Sequence, residues 1–294
     1  MKEFILMPNY KIITDSACDL PAEMLKQLDV VTTPLHVLFR GENLEDSVED
    51  TQIKTVYSGL RAGEPASTSA VNPDGWASIM EPALAEGYDL LVLGFSSGLS
   101  TTYQSAVIAA EELIEKYPYR RIHVVDTLCA ALGQGLLVYY ACKKRDEGMD
   151  LDQLTEWVEE NKLNVRHEVT VDDLMYLKRG GRVSAATAVV GTMLQIKPII
   201  TVNEEGKLVN IAKARGRKGA MDTLVKKLVE LGEGFHNEVA FITHGDCLAD
   251  AEMLKKMVLE KTNVKEVMLG NLGAVIGSHA GPGTLALFFM GKQR

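Results

Sequence analysis

The sequence predicts an α/β protein of two domains: an N-terminal parallel sheet with helices on both faces, as in Rossmann-like folds, and a C-terminal mixed α/β domain. Strand and helix patterns alternate from Tyr10 to Arg145, which is typical of a parallel sheet. The alternation changes after Gly148, where a hairpin pattern appears. With 294 residues, 46% of them hydrophobic, the chain is long enough for two cores, and we place the domains at 1–163 and 164–294.

The N-terminal elements begin with a strand, a polar loop and a helix. Tyr10–Thr14 is a predicted strand, and the polar loop Asp15–Asp19 leads into a helix with Pro21 near its first turn. Pro34 interrupts the apolar run Val30–Phe39 and places that part at a sheet edge or bend. The later predictions are an exposed acidic stretch at Glu42–Asp50, a helix near Ile53–Leu60, a connector at Ala66–Pro73 before a helix capped by Asn72, strands at Leu90–Phe95 and Arg121–Asp126, and helices from Thr101 to Tyr117 and from Cys129 to Arg145.

The C-terminal elements are more varied. Val165–Val171 alternates apolar and polar residues, which predicts a strand with one face in water. Asn203–Lys207 joins two apolar runs and predicts a hairpin. The remaining predictions are a helix at Leu151–Asn161, a basic glycine turn at Lys178–Arg182, a helix from Ser184 to Leu194, helices from Ala220 and Ala249, and strands at Ile196–Val202, Leu208–Ala214, Glu238–His244, Val264–Leu269 and Thr284–Met290.

Composition argues against several classes of function. A net charge of −9 disfavours nucleic-acid binding, because the average surface would repel phosphates. No apolar run approaches the ~20 residues of a membrane span, so we predict no integral membrane segment, while transient contact with a membrane surface stays open. Four widely spaced cysteines without a signal peptide indicate reduced thiols and a cytoplasmic location. The six histidines show no metal-ligand spacing, so neither a metal nor another cofactor is predicted.

The stretch Leu90–Ala106 places hydroxyl groups at the end of a buried strand. Ser96 and Ser97 follow the apolar run, and Thr101 stands in capping-box spacing at the start of the next helix. Open α/β sheets bind ligands at this end of a strand. The loop is therefore predicted either to cradle an anionic group or to form a catalytic elbow, since residues 94–98 also fit G-x-S-x-G. A serine-rich cap without a ligand is the third interpretation.

Two further loops carry candidate ligand groups. Thr68 and Ser69 lie upstream of the Asn72 cap and are free for other contacts. Glycines surround His279 in the stretch Ile276–Thr284, so backbone can approach a ligand closely there. A histidine in an ordinary turn is the alternative, and we favour the functional interpretation because glycine on both sides is costly unless the loop needs an unusual shape.

Taken together, these segments resemble the DegV family of bacterial fatty-acid-binding proteins. The resemblance spans nearly the whole chain, and the order and spacing of its motifs carry it. The motifs are KIITDSACDLP, STS, GFSSGLSTTYQSA, VVDTLCAALGQG, LKRGGRVS, LQIKPIITVNEEGKL, KARGRKGA, ITHGD and IGSHAGPG.

The resemblance implies a function and a site. It implies an acyl chain in a tunnel between the two domains, and a separate ATP-dependent fatty acid kinase that phosphorylates the bound carboxylate to acyl-phosphate for phospholipid synthesis. By the same resemblance Thr68, Ser97 and His279 bind the carboxylate, with Ser69 and Ser96 close by. Hydroxyls and an imidazole suit this task, because a buried carboxylate needs several donors. The protein would then be a lipid-binding carrier with a fatty acid as its ligand and no catalytic residues of its own.

Four arginines resemble basic positions of the family: Arg179, Arg182, Arg215 and Arg217. A run of charge usually lies in solvent. Because a kinase that handles nucleotide phosphate must approach the carboxylate, a basic rim could dock this partner or contact the acyl-phosphate. We predict this role for Arg182 first, and then for Arg179 and Arg215.

A serine hydrolase is the alternative from another class of function. Ser96, Asp246 and His279 follow one another in the order of an α/β-hydrolase triad. Against this, Thr101 starts its helix several residues after Ser96, and no HGGG-type oxyanion segment precedes it. A kinase in its own right is disfavoured because the sequence has no G-x-x-x-x-G-K-[ST] motif.

Overall fold

The strands form three sheets in the computed structural model, which describes residues 9–183 and 196–294. The strands are β1 (Tyr10–Asp15), β2 (Val30–Thr33), β3 (His36–Phe39), β4 (Glu42–Glu45), β5 (Ala66–Ser69), β6 (Asp89–Gly94), β7 (Ile122–Asp126), β8 (Val165–Thr170), β9 (Ile196–Val202), β10 (Leu208–Arg215), β11 (Val239–His244), β12 (Glu266–Asn271) and β13 (Leu285–Met290). The helices are α1 (Ala22–Gln27), α2 (Asp50–Arg61), α3 (Pro73–Ala85), α4 (Thr102–Lys116), α5 (Leu132–Asp146), α6 (Leu151–Asn161), α7 (Leu174–Arg179), α8 (Gly216–Leu231), α9 (Leu248–Lys261) and α10 (Ala274–Ala280).

The first sheet is parallel, with the strand order β2-β1-β6-β7. β6 pairs with β1 on one side and with β7 on the other, and all six of its residues are buried. A strand covered on both faces needs a continuous apolar run, which explains residues 90–93. The predicted parallel sheet is therefore confirmed, and β6 directs the loop that begins at Phe95 to its carboxyl end.

A small antiparallel sheet has the order β4-β3-β5. Its middle strand is the second half of the apolar run that Pro34 interrupts, so the two halves of that run belong to different sheets. Thr68 of β5 pairs with Val37 of β3 and is half-buried, whereas its neighbours Ser67 and Ser69 are exposed. This alternation turns one hydroxyl of the serine and threonine cluster inward.

The third sheet is mixed, with the order β10-β9-β8-β13-β11-β12. β9 and β10 form the predicted antiparallel hairpin, and β11 and β12 form a parallel pair. The C-terminal mixed α/β fold is thus confirmed. The domain limits at residues 163 and 164 stay a prediction.

Alternate residues of β6 enter two different hydrophobic clusters. Leu91 belongs to a cluster that continues through Leu137 of α5 to Phe288 of the third sheet. Leu90 belongs to a second cluster, in which Tyr57 of α2 packs with Val275 of α10. Because α10 contacts α2, β3 and β5, a helix from the C-terminal part of the chain lies against the small N-terminal sheet. This contact positions the site described below.

Several predicted elements differ in the structure. The stretch predicted as exposed and acidic contains β4, and the predicted connector contains β5, because both pair with β3. The prediction that β8 has one face in water is wrong: β8 lies inside the third sheet, and its buried Arg166 forms an ion pair with Glu168 at 3.0 Å. Helix α8 begins at Gly216 instead of Ala220. The helix predicted from Ser184 to Leu194 lies outside the described residues.

The start of α4 also differs from its prediction. Thr101 makes no side-chain capping bond; instead the backbone amide of Thr102 donates to the hydroxyl of Ser100 at 3.2 Å. Asn72, in contrast, caps α3 as predicted, since its side chain accepts from the amide of Gly75 at 2.8 Å. Within the parts of the chain that the structure describes, no helix is long and apolar enough to cross a membrane, and no three potential metal ligands come together.

Candidate functional site

A cavity of about 420 Å³ lies where the β6 loop, β5, α7 and α10 meet. Most of its wall is apolar, and polar groups enter from the loops and from α10. The apolar lining residues are Leu35, Ala70, Phe95, Leu99, Leu177, Leu208, Val275 and Ile276. The polar lining residues are Thr68, Ser69, Ser97, Ser100, Thr101, Arg182 and His279. The cavity is therefore amphiphilic, with a volume inside the ordinary range for small-molecule sites.

Thr68 and His279 form the closest polar pair in this cavity. Thr68 Oγ1 lies 2.7 Å from His279 Nε2, across 211 residues of sequence. Burial, assisted by the nearby Arg182 guanidinium, lowers the pKa of His279 to about 4. The imidazole is consequently neutral at pH 7 and offers one donor and one acceptor nitrogen. If Nε2–H donates to Thr68, the threonine hydroxyl is free to donate a hydrogen bond to a ligand oxygen.

His279 lies on α10 and not in the glycine loop that the sequence predicts. The helix spans residues 274–280, and only the glycines that follow form the loop. Gly277 faces Tyr57, where an added Cβ would lie 2.2 Å from the tyrosine hydroxyl. This glycine therefore serves close helix packing instead of ligand approach.

Ser97 and Ser96 have different environments although they are adjacent. Ser97 is exposed at the cavity, and its hydroxyl has no hydrogen-bond partner among residues 9–183 and 196–294, while its amide donates to Asp126 at 3.1 Å. Ser96 is fully buried, and its hydroxyl donates to the Gly206 carbonyl at 2.8 Å. Ser97 is thus placed to donate to a ligand, whereas Ser96 joins the β6 loop to the β9–β10 hairpin. Ser69 is exposed on the cavity wall.

Arg182 lines the cavity instead of standing on an exposed turn. Its Nε donates to the Leu99 carbonyl at 3.1 Å and its Nη1 to the Gly180 carbonyl, so the side chain bridges the β6 loop and the end of α7. Burial lowers the pKa of Arg182, yet a guanidinium stays charged at neutral pH. It provides a positive charge at the polar end of the cavity.

The other predicted arginines lie outside the cavity lining. Arg179 is exposed and stacks on the Tyr176 ring, with its guanidinium carbon 4.5 Å from the ring centre. Arg215 is exposed at the end of β10. Arg217 is held by Asp250 at 2.9 Å. Exposed arginines can contact a partner, but these side chains do not reach into the pocket that holds His279.

The geometry does not support a hydrolase triad. Ser96 is bonded to Gly206, and the carboxylate of Asp246 is bonded to Arg61 at 2.9 Å. The imidazole of His279 is bonded to Thr68. A triad needs its serine, histidine and acid bonded in sequence, and here each has a different partner.

Sequence reasoning missed the apolar walls of the cavity. Val275 stands four residues before His279, which is the spacing of one helix face, but the surrounding glycines indicated a loop. Leu35 follows directly after Pro34, and the interruption of the apolar run at this proline gave no indication that Leu35 lines a cavity. Leu177 enters from α7, and no local pattern links it to the other lining residues.

The fold and this cavity define the class of protein: a three-sheet α/β protein with an amphiphilic pocket at the carboxyl end of a parallel strand. A family model described as "Uncharacterised protein, DegV family" matches residues 9–292. A DegV domain-containing protein of Clostridium perfringens is 45% identical over 291 residues, which is 98% of this chain and 99% of that protein. This chain therefore belongs to the DegV family.

Two solved structures share the whole fold. A DegV family protein from Thermus thermophilus, described by its fatty acid binding, has 33% identity and a TM-score of 0.87, covering 96% of this chain and 99% of its own. DegV from Bacillus subtilis, described as a fatty acid binding protein, has 29% identity and a TM-score of 0.82, covering 97% and 100%.

Proposed function

We propose that this chain binds a long-chain fatty acid in the cavity described above and presents its carboxylate to a separate fatty acid kinase. The observation that carries the proposal is the neutral Thr68–His279 pair in a cavity that is lined by both apolar and polar side chains. Relatives of similar fold bind fatty acids, which supports the same ligand class here.

The chemistry of the lining matches the two parts of a fatty acid. An acyl chain gains from burial against leucine, isoleucine, valine and phenylalanine side chains. A carboxylate is costly to bury unless donors reach it, and Ser97 supplies one donor while the bonded Thr68–His279 pair supplies another. Arg182 adds a positive charge whose guanidinium is already held by two backbone carbonyls. Ser69 is the next hydroxyl along β5.

The positions of the polar groups support the proposed kinase step. Ser97 is exposed, so a carboxylate bonded to it is reachable by a second protein. The exposed arginines Arg179 and Arg215 suit contact with a partner that carries nucleotide phosphate. The kinase would transfer a phosphoryl group from ATP to the carboxylate and yield acyl-phosphate for phospholipid synthesis. In this proposal the chain is a carrier, and the kinase performs the chemistry.

Palmitate binding to delipidated protein tests the first half of the proposal. Titration calorimetry should show saturable binding, and mass spectrometry of lipid extracted from freshly purified protein should show a fatty acid. Ser97→Ala and His279→Gln should each raise the palmitate Kd by about 5- to 150-fold, because a carboxylate short of one donor loses roughly 1–3 kcal/mol. Ser78→Ala, on α3, removes a comparable hydroxyl and should leave the Kd unchanged. Absence of affinity for any fatty acid in the wild-type protein contradicts the proposal.

Acyl-phosphate formation tests the second half. With ATP, palmitate and a bacterial fatty acid kinase, hydroxylamine trapping should detect acyl-phosphate only when this chain is present. Arg179→Ala should slow trapping severalfold at an unchanged palmitate Kd, because its side chain lies outside the cavity. Arg182→Ala should affect both, since Arg182 lines the cavity. The exposed Lys256→Ala on α9 serves as the charge control. Equal trapping rates for Arg179→Ala and Lys256→Ala would remove Arg179 from the interface.

A further inference from the structure

The polar loop after β1 makes contacts that the proposed binding function leaves unexplained. Asp15 is the last residue of β1, Ser16 is the first residue of this loop, and Asp46 follows β4. We call these three residues the anchor. Both carboxyl groups are buried, with Asp15 at 0% and Asp46 at 7% exposure. Neither forms a salt bridge within residues 9–183 and 196–294; their oxygens accept from backbone amides and, at Asp46, from the Ser16 hydroxyl.

The anchor holds three separate walls of the cavity through their backbone amides. Phe95 N, at the end of β6, donates to Asp15 Oδ2 at 2.8 Å. Leu35 N, before β3, donates to Ser16 Oγ at 3.0 Å. Val275 N, in α10, donates to Asp46 Oδ1 at 2.9 Å. Leu35, Phe95 and Val275 all line the cavity, although Leu35 and Val275 are 240 residues apart in the sequence.

The anchor is also internally bonded. Ser16 Oγ donates to Asp46 Oδ2 at 2.9 Å, and Asp46 N donates to the Leu35 carbonyl at 2.8 Å. Asp15 and Ser16 are adjacent in the chain, so the path from the Ser97 loop to α10 is continuous. Ser97 stands two residues after Phe95, and His279 stands one helical turn after Val275. The separation of the two ligand groups therefore depends on this path.

We propose that Asp15, Ser16 and Asp46 are positioning residues that set the distance between the Ser97 loop and the His279 helix. The inference rests on the proposed carboxylate site but concerns a different set of residues, none of which lines the cavity. Burial of the two carboxyl groups raises the pKa of Asp15 to about 7 and that of Asp46 to about 6. Groups kept in such unfavourable surroundings are consistent with a geometric role.

Substitution of Asp46 tests the proposal in two directions. Asp46→Ala removes the acceptor for Val275 N and should raise the palmitate Kd by about tenfold or more. Asp46→Asn keeps that acceptor, and its amide can donate to Ser16 Oγ, so it should restore the Kd to within about threefold of wild type. Asp89→Ala is the control, because Asp89 is also buried but lies at the opposite end of β6, paired with Arg121.

The imidazole signal of His279 in ligand-free protein is the second measurement. The Hε1–Cε1 NMR cross-peak, assigned with His279→Gln, should shift in Asp46→Ala and stay in place in Asp46→Asn and Asp89→Ala. Ser16→Ala cuts the same path without enlarging a side chain, and it carries the test if Asp46→Ala does not fold. The proposal is overturned if folded Asp46→Ala or Ser16→Ala shows an unmoved His279 signal and an unchanged palmitate Kd. It is also overturned if Asp89→Ala loses as much affinity for palmitate as Asp46→Ala does. If wild-type protein binds no palmitate, the proposed function fails while the His279 signal still decides the anchor.

Discussion

At the scale of residues, a neutral imidazole distinguishes this site from an ordinary anion-binding site. His279 has its pKa lowered to about 4, so it contributes a hydrogen bond and no charge at pH 7. The positive charge comes from Arg182, whose guanidinium is fixed by the carbonyls of Leu99 and Gly180. A carboxylate bound here would be held by directional bonds, and its oxygens would stay available for chemistry at the exposed side of Ser97.

Gly180 gives the first prediction, because it leaves room for the His279 ring. An added Cβ would lie 2.2 Å from His279 Nδ1, while the backbone at Gly180 has φ −71°, which alanine accepts. Gly180→Ala should therefore displace the imidazole and raise the palmitate Kd by about tenfold at nearly unchanged stability. Gly219→Ala in α8 is the matched control, since its Cβ would meet only Ala214 at 4.0 Å. Equal Kd values for the two variants would show that His279 tolerates the displacement.

At the scale of elements, the site is made by short segments that local sequence patterns describe poorly. β5 has four residues and α10 has seven, and each is stabilised mainly by its neighbours. β5 exists because β3 pairs with it, and α10 is held by packing against α2 and β5. The long buried strand β6, in contrast, was predictable from its apolar run alone.

The β9–β10 hairpin gives a prediction at this scale. Gly206 has φ +72°, and an added Cβ would lie 2.1 Å from Ser96 Oγ. Gly206→Ala should lower the free energy of unfolding by about 2 kcal/mol or more, from backbone strain together with the lost Ser96 bond, as measured by urea denaturation. Gly41→Ala has a similar φ of +82° with no atom within 4 Å, so it should show the strain alone. Identical losses in both variants would mean that the Ser96 contact contributes nothing.

At the scale of the whole molecule, the buried acids make stability depend on pH. Burial raises the pKa of Asp15 to about 7, above the ordinary value near 4 that applies in the unfolded chain. The folded state therefore binds more protons between these values, and the contribution of Asp15 to stability is complete below about pH 4 and falls as pH rises to about 7. Burial lowers the pKa of His279 and of His167, so these two residues make the free energy of unfolding rise with pH instead of fall.

The difference in the free energy of unfolding between wild type and Asp15→Asn isolates the effect of Asp15, because both proteins keep the same histidines. Wild type should lose stability relative to Asp15→Asn from pH 4 to pH 7, by up to about 1.4 kcal/mol per pH unit. Urea denaturation at pH 4, 5.5, 7 and 8 measures the difference. Parallel pH profiles for the two proteins would show that Asp15 does not titrate in this range.

The α/β class, the parallel first sheet and the mixed second half followed from hydrophobic periodicity, because a strand buried on both faces and an amphipathic helix leave local patterns. The motifs around Thr68, Ser97 and His279 followed from resemblance to a family that the comparisons confirm. The bond of Ser96 to the β9–β10 hairpin, the inward position of Arg182 and the path through Asp15, Ser16 and Asp46 could not be predicted locally. Each depends on which distant backbone group a side chain meets, such as Gly206, Leu99 or Val275.

The sequence by itself determined most of the longer elements of this protein, their broad order in two halves and the family to which it belongs. Only the tertiary structure decided that α10 packs against the small N-terminal sheet, and hence that His279 meets Thr68 at 2.7 Å. The physical reason is the distance in sequence over which each kind of interaction acts. Periodicity and capping act within a few residues, whereas the cavity is closed by contacts between segments as far apart as residues 35, 95 and 275, which the packing of three sheets brings together.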